Sequence, residues 1–79
     1  MNAELRELEV TQRVYAMLSS GEARDLVKSR GLTEQQTAKI IGVSQTAVSA
    51  YLNSRWCPRP VVCLRLDRLL TKLRAMPHA

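Results

Sequence analysis

The segment from Thr33 to Asn53, TEQQTAKIIGVSQTAVSAYLN, constrains this chain more than any other part of it. Thr33 with Gln36 three residues later has the form of a capping box, in which each side chain satisfies a backbone N–H of a starting helix. Glu34 to Ile41 then fits a short helix. Gly42 follows, where a sharp stop needs the left-handed conformation that only glycine takes without penalty. Ser44 is a good N-cap for a second helix, Gln45 to about Asn53. Ala38 is small where two such helices would cross closely, and Ile41, Val43, Val48 and either Tyr51 or Leu52 supply a shared apolar seam. An ordinary helical hairpin would explain the caps but not the joint placement of Ala38, Gly42, Val43, Ser44 and Val48. The pattern predicts a helix-turn-helix over residues 34–53, a unit that lays its second helix in the major groove of DNA.

The remainder of the chain must cover that unit with a small core. Seventy-nine residues allow a single domain, 1–79. Phe is absent, so the core falls to Leu, Val, Ile, Ala and Met, with Trp56, Tyr15 and Tyr51 the aromatics. An all-α fold is expected. A first helix is predicted over 3–18. At 100° per residue, Val10, Val14 and Met17 form one face, and Leu5, Leu8 and Tyr15 a second, with Gln12 between them in a heptad-like row. One face can cover the core, which leaves Leu5, Leu8 and Tyr15 as a candidate contact with a second subunit. Ser19 and Glu22 read as another capping box, opening a helix over 20–30 that Gly31 stops, with Ala23, Leu26 and Val27 facing inward.

Ser54 to Pro60 reads as a loop, in which Trp56 is expected to pack as a lid on the core, with direct DNA contact as the less favoured alternative. Pro60 suits the first turn of a last helix, 61–74. Its apolar stripe is Val62, Cys63, Leu66, Leu69, Leu70 and Leu73, with Arg65, Arg68 and Lys72 on the other side. Leu64 falls among these basic residues and joins the candidate dimer contacts.

Charge points to a partner. The net charge is +5, but residues 1–33 sum to zero and residues 34–79 carry the whole excess. A positive half that includes the second helix of the pair is the expected footprint of a polyanion. No apolar run approaches the ~20 residues of a membrane span, and Glu4, Arg6, Glu7 and Glu9 interrupt any signal-peptide pattern. A cytoplasmic protein with no membrane contact is expected. Cys57 and Cys63 read as small hydrophobes, because a structural zinc site needs about four ligands and the sole histidine, His78, lies in the tail. No carboxylate pair, nucleophile–base set or phosphate loop is present, so neither enzyme activity nor a cofactor is expected.

The run Ala38…Gly42-Val43-Ser44-Gln45-Thr46-Ala47-Val48-Ser49, with the lead-in Gly21 to Thr33 and Arg59-Pro60 before the closing helix, resembles the phage repressor/Cro (Xre-type) class over about residues 20–74. The resemblance implies a compact four- to five-helix domain of the lambda-repressor-like kind, working as a dimer in transcriptional control. Glu34 departs from the pattern, being commonly Gln where that side chain helps to bind a phosphate. The segment Asn53 to Pro60 is also short and carries Trp56 and Cys57.

A recognition helix reads bases with its first two turns, here Gln45, Thr46, Ser49 and Ala50. Family position makes Gln45 and Thr46 the principal readers. Gln pairs with adenine in a bidentate way, Thr hydrogen-bonds a base or meets the thymine methyl, and Ala50 suits that methyl as well. Ser44, Lys39, Asn53, Arg55 and Arg59 are the candidate phosphate contacts. The expected partner is double-stranded DNA carrying a pseudo-palindromic operator bound by a homodimer, with no small-molecule ligand, since the chain has no room for a sensing domain. Two alternatives remain: a recombination-accessory or architectural DNA binder, and a module that keeps this shape to bind another regulatory protein.

Overall fold

The computed structural model describes residues 3–77, so His78 lies outside the described part. Five helices follow in order: α1 Ala3–Ser20, α2 Glu22–Ser29, α3 Glu34–Ile41, α4 Gln45–Leu52 and α5 Pro60–Ala75, with no strand among the described residues. α1 and α5 pack on each other and form one side of the core, α2 lies against both, and the α3–α4 pair closes the other side against α5 and α1. The core is aliphatic, as a chain without Phe requires. Val14, Val27, Ile41, Val48, Cys63, Leu66 and Leu70 are almost wholly removed from water. All six residues expected on the inner stripe of α5 are buried.

The pair forms as its residues dictate. Thr33 accepts from the Gln36 N–H (3.0 Å) while the Gln36 side chain accepts from the Thr33 N–H (2.9 Å), closing the box. Gly42 stands at φ 74°, and the Ala38 carbonyl accepts from both Gly42 (2.8 Å) and Val43 (3.1 Å), which ends α3 in one tight turn. Ser44 then caps α4 by accepting from the Ala47 N–H at 3.1 Å. Arg65, which the sequence placed on the outer side of α5, donates from Nη1 to the Ile41 carbonyl at 3.1 Å. It serves one of the carbonyls that a helix end leaves orphaned.

Several sequence expectations are corrected. α1 runs two residues past 18, and the Ser19 hydroxyl donates back to the Tyr15 carbonyl (2.7 Å) instead of opening α2. The break comes at Gly21, φ 84°, which serves as N-cap of α2 with no side-chain cap bond. The Ser19–Glu22 box therefore does not form, because α1 gains more by continuing its ladder until a residue can turn left-handed. α2 spans 22–29 rather than 20–30. Within the 34–53 unit, α3 ends at Ile41 and α4 at Leu52, one residue short of the expected end, and α5 starts at Pro60 itself.

Tyr15 does not belong to an outer face. It packs against the core, and its hydroxyl donates to the Pro58 carbonyl at 2.9 Å. Leu5 and Leu8 are about half exposed, at 54% and 51%, and Leu64 is exposed as well. Cys57 is exposed, so only Cys63 behaves as a buried small hydrophobe.

Replacing Gly42 by Val is expected to destabilise the domain. A β-branched residue strains at φ 74°, and a Cβ there would meet Arg65 Nη1 at 3.0 Å. Strain of this kind costs about 1–3 kcal/mol. A thermal melt should show a loss of roughly 4–8 °C per kcal/mol for a domain of this size. An unchanged midpoint would contradict the turn.

Candidate nucleic-acid interface

α4 presents Gln45, Thr46, Ser49 and Ala50 to a single surface depression, whose remaining walls are Glu34, Arg55 and Trp56. The caps fix this presentation. Ser44 sets the start of α4, so Gln45 and Thr46 lie in its first turn and both are exposed. Ser49 follows one turn later and is half-buried. Ala50 is buried at 4% and forms the floor, so its methyl does not project as the others do. Val48 and Leu52, on the inner side of the same helix, anchor it in the core.

Of the five candidate phosphate residues, Arg55 lines that depression and the other four do not. Ser44 is exposed, with its hydroxyl engaged as the α4 cap. Lys39 is exposed on α3. Asn53 donates to the Ser49 carbonyl at 2.8 Å, and its amide oxygen accepts from Arg24 Nη1 at 3.5 Å. Arg55 lies in the depression, and Arg59 is exposed at the N-cap of α5. Arg24 was not among the candidate contacts. It lines a second groove with Lys28, Thr33, Glu34 and Asn53. The charge sum over residues 1–33 concealed both cations, because five acidic side chains there balance five basic ones.

Trp56 is not a lid on the core. It is 53% exposed, with its ring 6.5 Å from that of Tyr51 at 67°, an edge-on contact. The loop that carries it is tightly held. Ser54 adopts φ 59°, the left-handed position that glycine usually takes after a helix, and its hydroxyl donates to the Leu18 carbonyl at 3.0 Å. The Ala50 carbonyl accepts from Arg55 (2.8 Å) and Trp56 (3.4 Å). Pro58 is buried, and its carbonyl accepts from Tyr15 and, at 3.6 Å, from the Cys63 thiol.

Five helices with a glycine-turned pair and exposed polar side chains on the first turn of α4 define an all-helical domain of the helix-turn-helix class. The chain matches the helix-turn-helix family over residues 22–72. It belongs to that family, in its Xre type, the class of phage repressor and Cro, and it is a DNA-binding regulator of that type. No curated protein and no solved structure shows significant similarity to it. No helix among the described residues is long and apolar enough to cross a membrane.

The anchor beneath the loop titrates. Burial raises the Tyr15 hydroxyl above its ordinary 10.0, with the Cys63 and Cys57 thiols adding to the effect. Burial likewise raises the Cys63 thiol above its ordinary 9.0, against an opposing hydrogen bond from Thr11. In both cases the folded state holds its proton more tightly than the unfolded chain does. Their contribution to stability is full below the ordinary values and is lost as pH rises through the raised ones. Denaturant midpoints should therefore fall as the solution is taken above pH 9.0, the point at which the unfolded thiol ionises. Tyr15→Phe should cost about 0.5–1.5 kcal/mol at neutral pH through the lost bond and flatten the alkaline decline. A variant that matches the parent at every pH would show that the bond to Pro58 carries no weight.

Proposed function

We propose that this protein is a sequence-specific, repressor/Cro-like regulator, of the kind used by phages and other mobile elements, which acts by occupying an operator as a dimer. The observation that carries the reading is the common surface of Gln45, Thr46 and Ser49, held outward by a helix whose opposite side is locked into the core. Gln45 and Thr46 read base edges, Gln45 with the bidentate geometry that suits adenine. Ser49 adds a contact from the second turn. Ser44, Lys39, Asn53, Arg55 and Arg59 hold the phosphate backbone, which supplies affinity and register but carries no sequence information. One recognition helix spans only a few base pairs, so useful selectivity calls for two copies with half-sites ~34 Å apart.

Selection of bound duplexes from a random pool tests the reading, and a palindromic consensus is the expected result. On that consensus, Gln45→Ala or Thr46→Ala should weaken specific binding by about 1–3 kcal/mol while non-specific binding stays nearly intact. An equal loss on specific and random DNA would defeat the base-reading assignment, as would a matching loss of stability.

Leu5, Leu8 and Leu64 are the proposed subunit contacts, exposed apolar side chains that leave water when two copies meet. Tyr15, engaged with Pro58, drops out of that set. The double change Leu5→Glu with Leu8→Glu should leave folding intact, lower the mass seen in sedimentation or abolish cooperative binding to a full palindrome, and spare binding to a single half-site. Retention of both mass and cooperativity would place the interface elsewhere.

A further inference from the structure

Trp56 is the sole tryptophan of the chain, and it stands 53% exposed beside a surface built to meet a polyanion. Three observations make that placement informative. First, the indole shares one depression with Gln45, Thr46 and Ser49, so it faces whatever those side chains face. Second, it is held in place. Tyr51, itself packed on the core, supports the ring edge-on, the Ala50 carbonyl accepts from the Arg55 and Trp56 N–H groups, and the Leu18 carbonyl accepts from the Ser54 hydroxyl. An indole held in advance loses little rotamer freedom when it makes a contact. Third, Glu34 and Arg55 both line the same depression, so the carboxylate offsets the pull of the guanidinium on a phosphate and the depression carries no net positive charge of its own. The site is therefore shaped for a base edge, and the one apolar group that the major groove presents is the 5-methyl of thymine.

We propose that Trp56 is a specificity-determining residue whose indole contacts the 5-methyl group of a thymine at the margin of the bases read by Gln45 and Thr46. The inference rests on the DNA-reading assignment above and adds to it a base position outside α4. The contact buries apolar surface on both partners, and it selects thymine over cytosine, which lacks the methyl.

The test uses the full chain and its Trp56→Ala and Trp56→Phe variants, each first shown by circular dichroism to melt as the parent does. Random-pool selection should return the same inner preference for parent and Trp56→Ala, with one thymine preference lost in the variant. On the selected duplex, replacing each thymine in turn by uracil removes only the methyl. At one position this should weaken the parent about fourfold, the worth of one buried methyl, and leave Trp56→Ala unaffected. Trp56→Phe should retain part of the discrimination. The indole emission of the parent should shift or quench on binding that duplex.

The inference is overturned if no thymine shows this dependence, if Trp56→Ala weakens every duplex equally, as a sugar-backbone contact would, or if the emission does not change. A parent that enriches a motif shared unchanged by Trp56→Ala overturns the role of Trp56 and leaves the reading by α4 standing. A parent that enriches no motif overturns both.

Discussion

The turn at Gly42 is the constraint on which the rest of the molecule depends. One carbonyl, that of Ala38, receives both Gly42 and Val43, and the left-handed glycine between α3 and α4 sets the angle at which the two helices leave each other. Val43 is carried back against the core by the same turn. With the angle set, Ser44 can cap α4, Val48 and Leu52 can be buried, and Gln45 and Thr46 must then lie outside. Arg65 closes the arrangement from a distant helix by taking the Ile41 carbonyl, and the absence of a Cβ at Gly42 leaves it room to do so.

Features specified by residues a few positions apart were legible in the sequence. The Thr33–Gln36 box, the Gly42 stop, the Ser44 cap and the buried stripe of α5 all follow from short spacings, and each forms. The misreadings share a different cause. The Ser19–Glu22 spacing satisfies the same local rule as Thr33–Gln36, yet no capping box forms there, because α1 continues to Ser20 and the Ser19 hydroxyl is engaged with the Tyr15 carbonyl. Tyr15 sat on the outer face by periodicity, but a carbonyl 43 positions away reclaimed it. Ser54 occupies a backbone position that sequence rules reserve for glycine, and its partner, the Leu18 carbonyl, is 36 positions away in the chain. Local rules cannot see a bond across the fold. For the same reason the exposure of Gln45 and Thr46 on α4 was legible, while the exposed setting of Trp56 beside Tyr51 and the bond of Arg24 to Asn53 depend on neighbours that spacing does not show.

Charge behaves in the same way. Counted along the chain, residues 1–33 are neutral and residues 34–79 carry the whole positive excess. In the fold, Arg13 pairs with Asp67 at 3.0 Å and Arg74 pairs with Glu22, so cations from each half engage acids from the other. Arg30 is drawn off in a similar way, donating to the Leu73 carbonyl at 2.9 Å. Arg24 instead turns toward Asn53 at the end of α4. The charge that counts is distributed by surface, and surface cuts across chain order.

The family match begins at Glu22, after α1 has ended. Yet α1 supplies Val14, Met17 and Leu18 to the core, and its Tyr15 hydroxyl and Leu18 carbonyl are the two moorings of the loop that follows α4. The helix outside the shared span is thus a buttress of the part inside it. A piece cut to residues 22–72 would lose both moorings, so the loop that carries Trp56 owes its geometry to a helix outside the matched span.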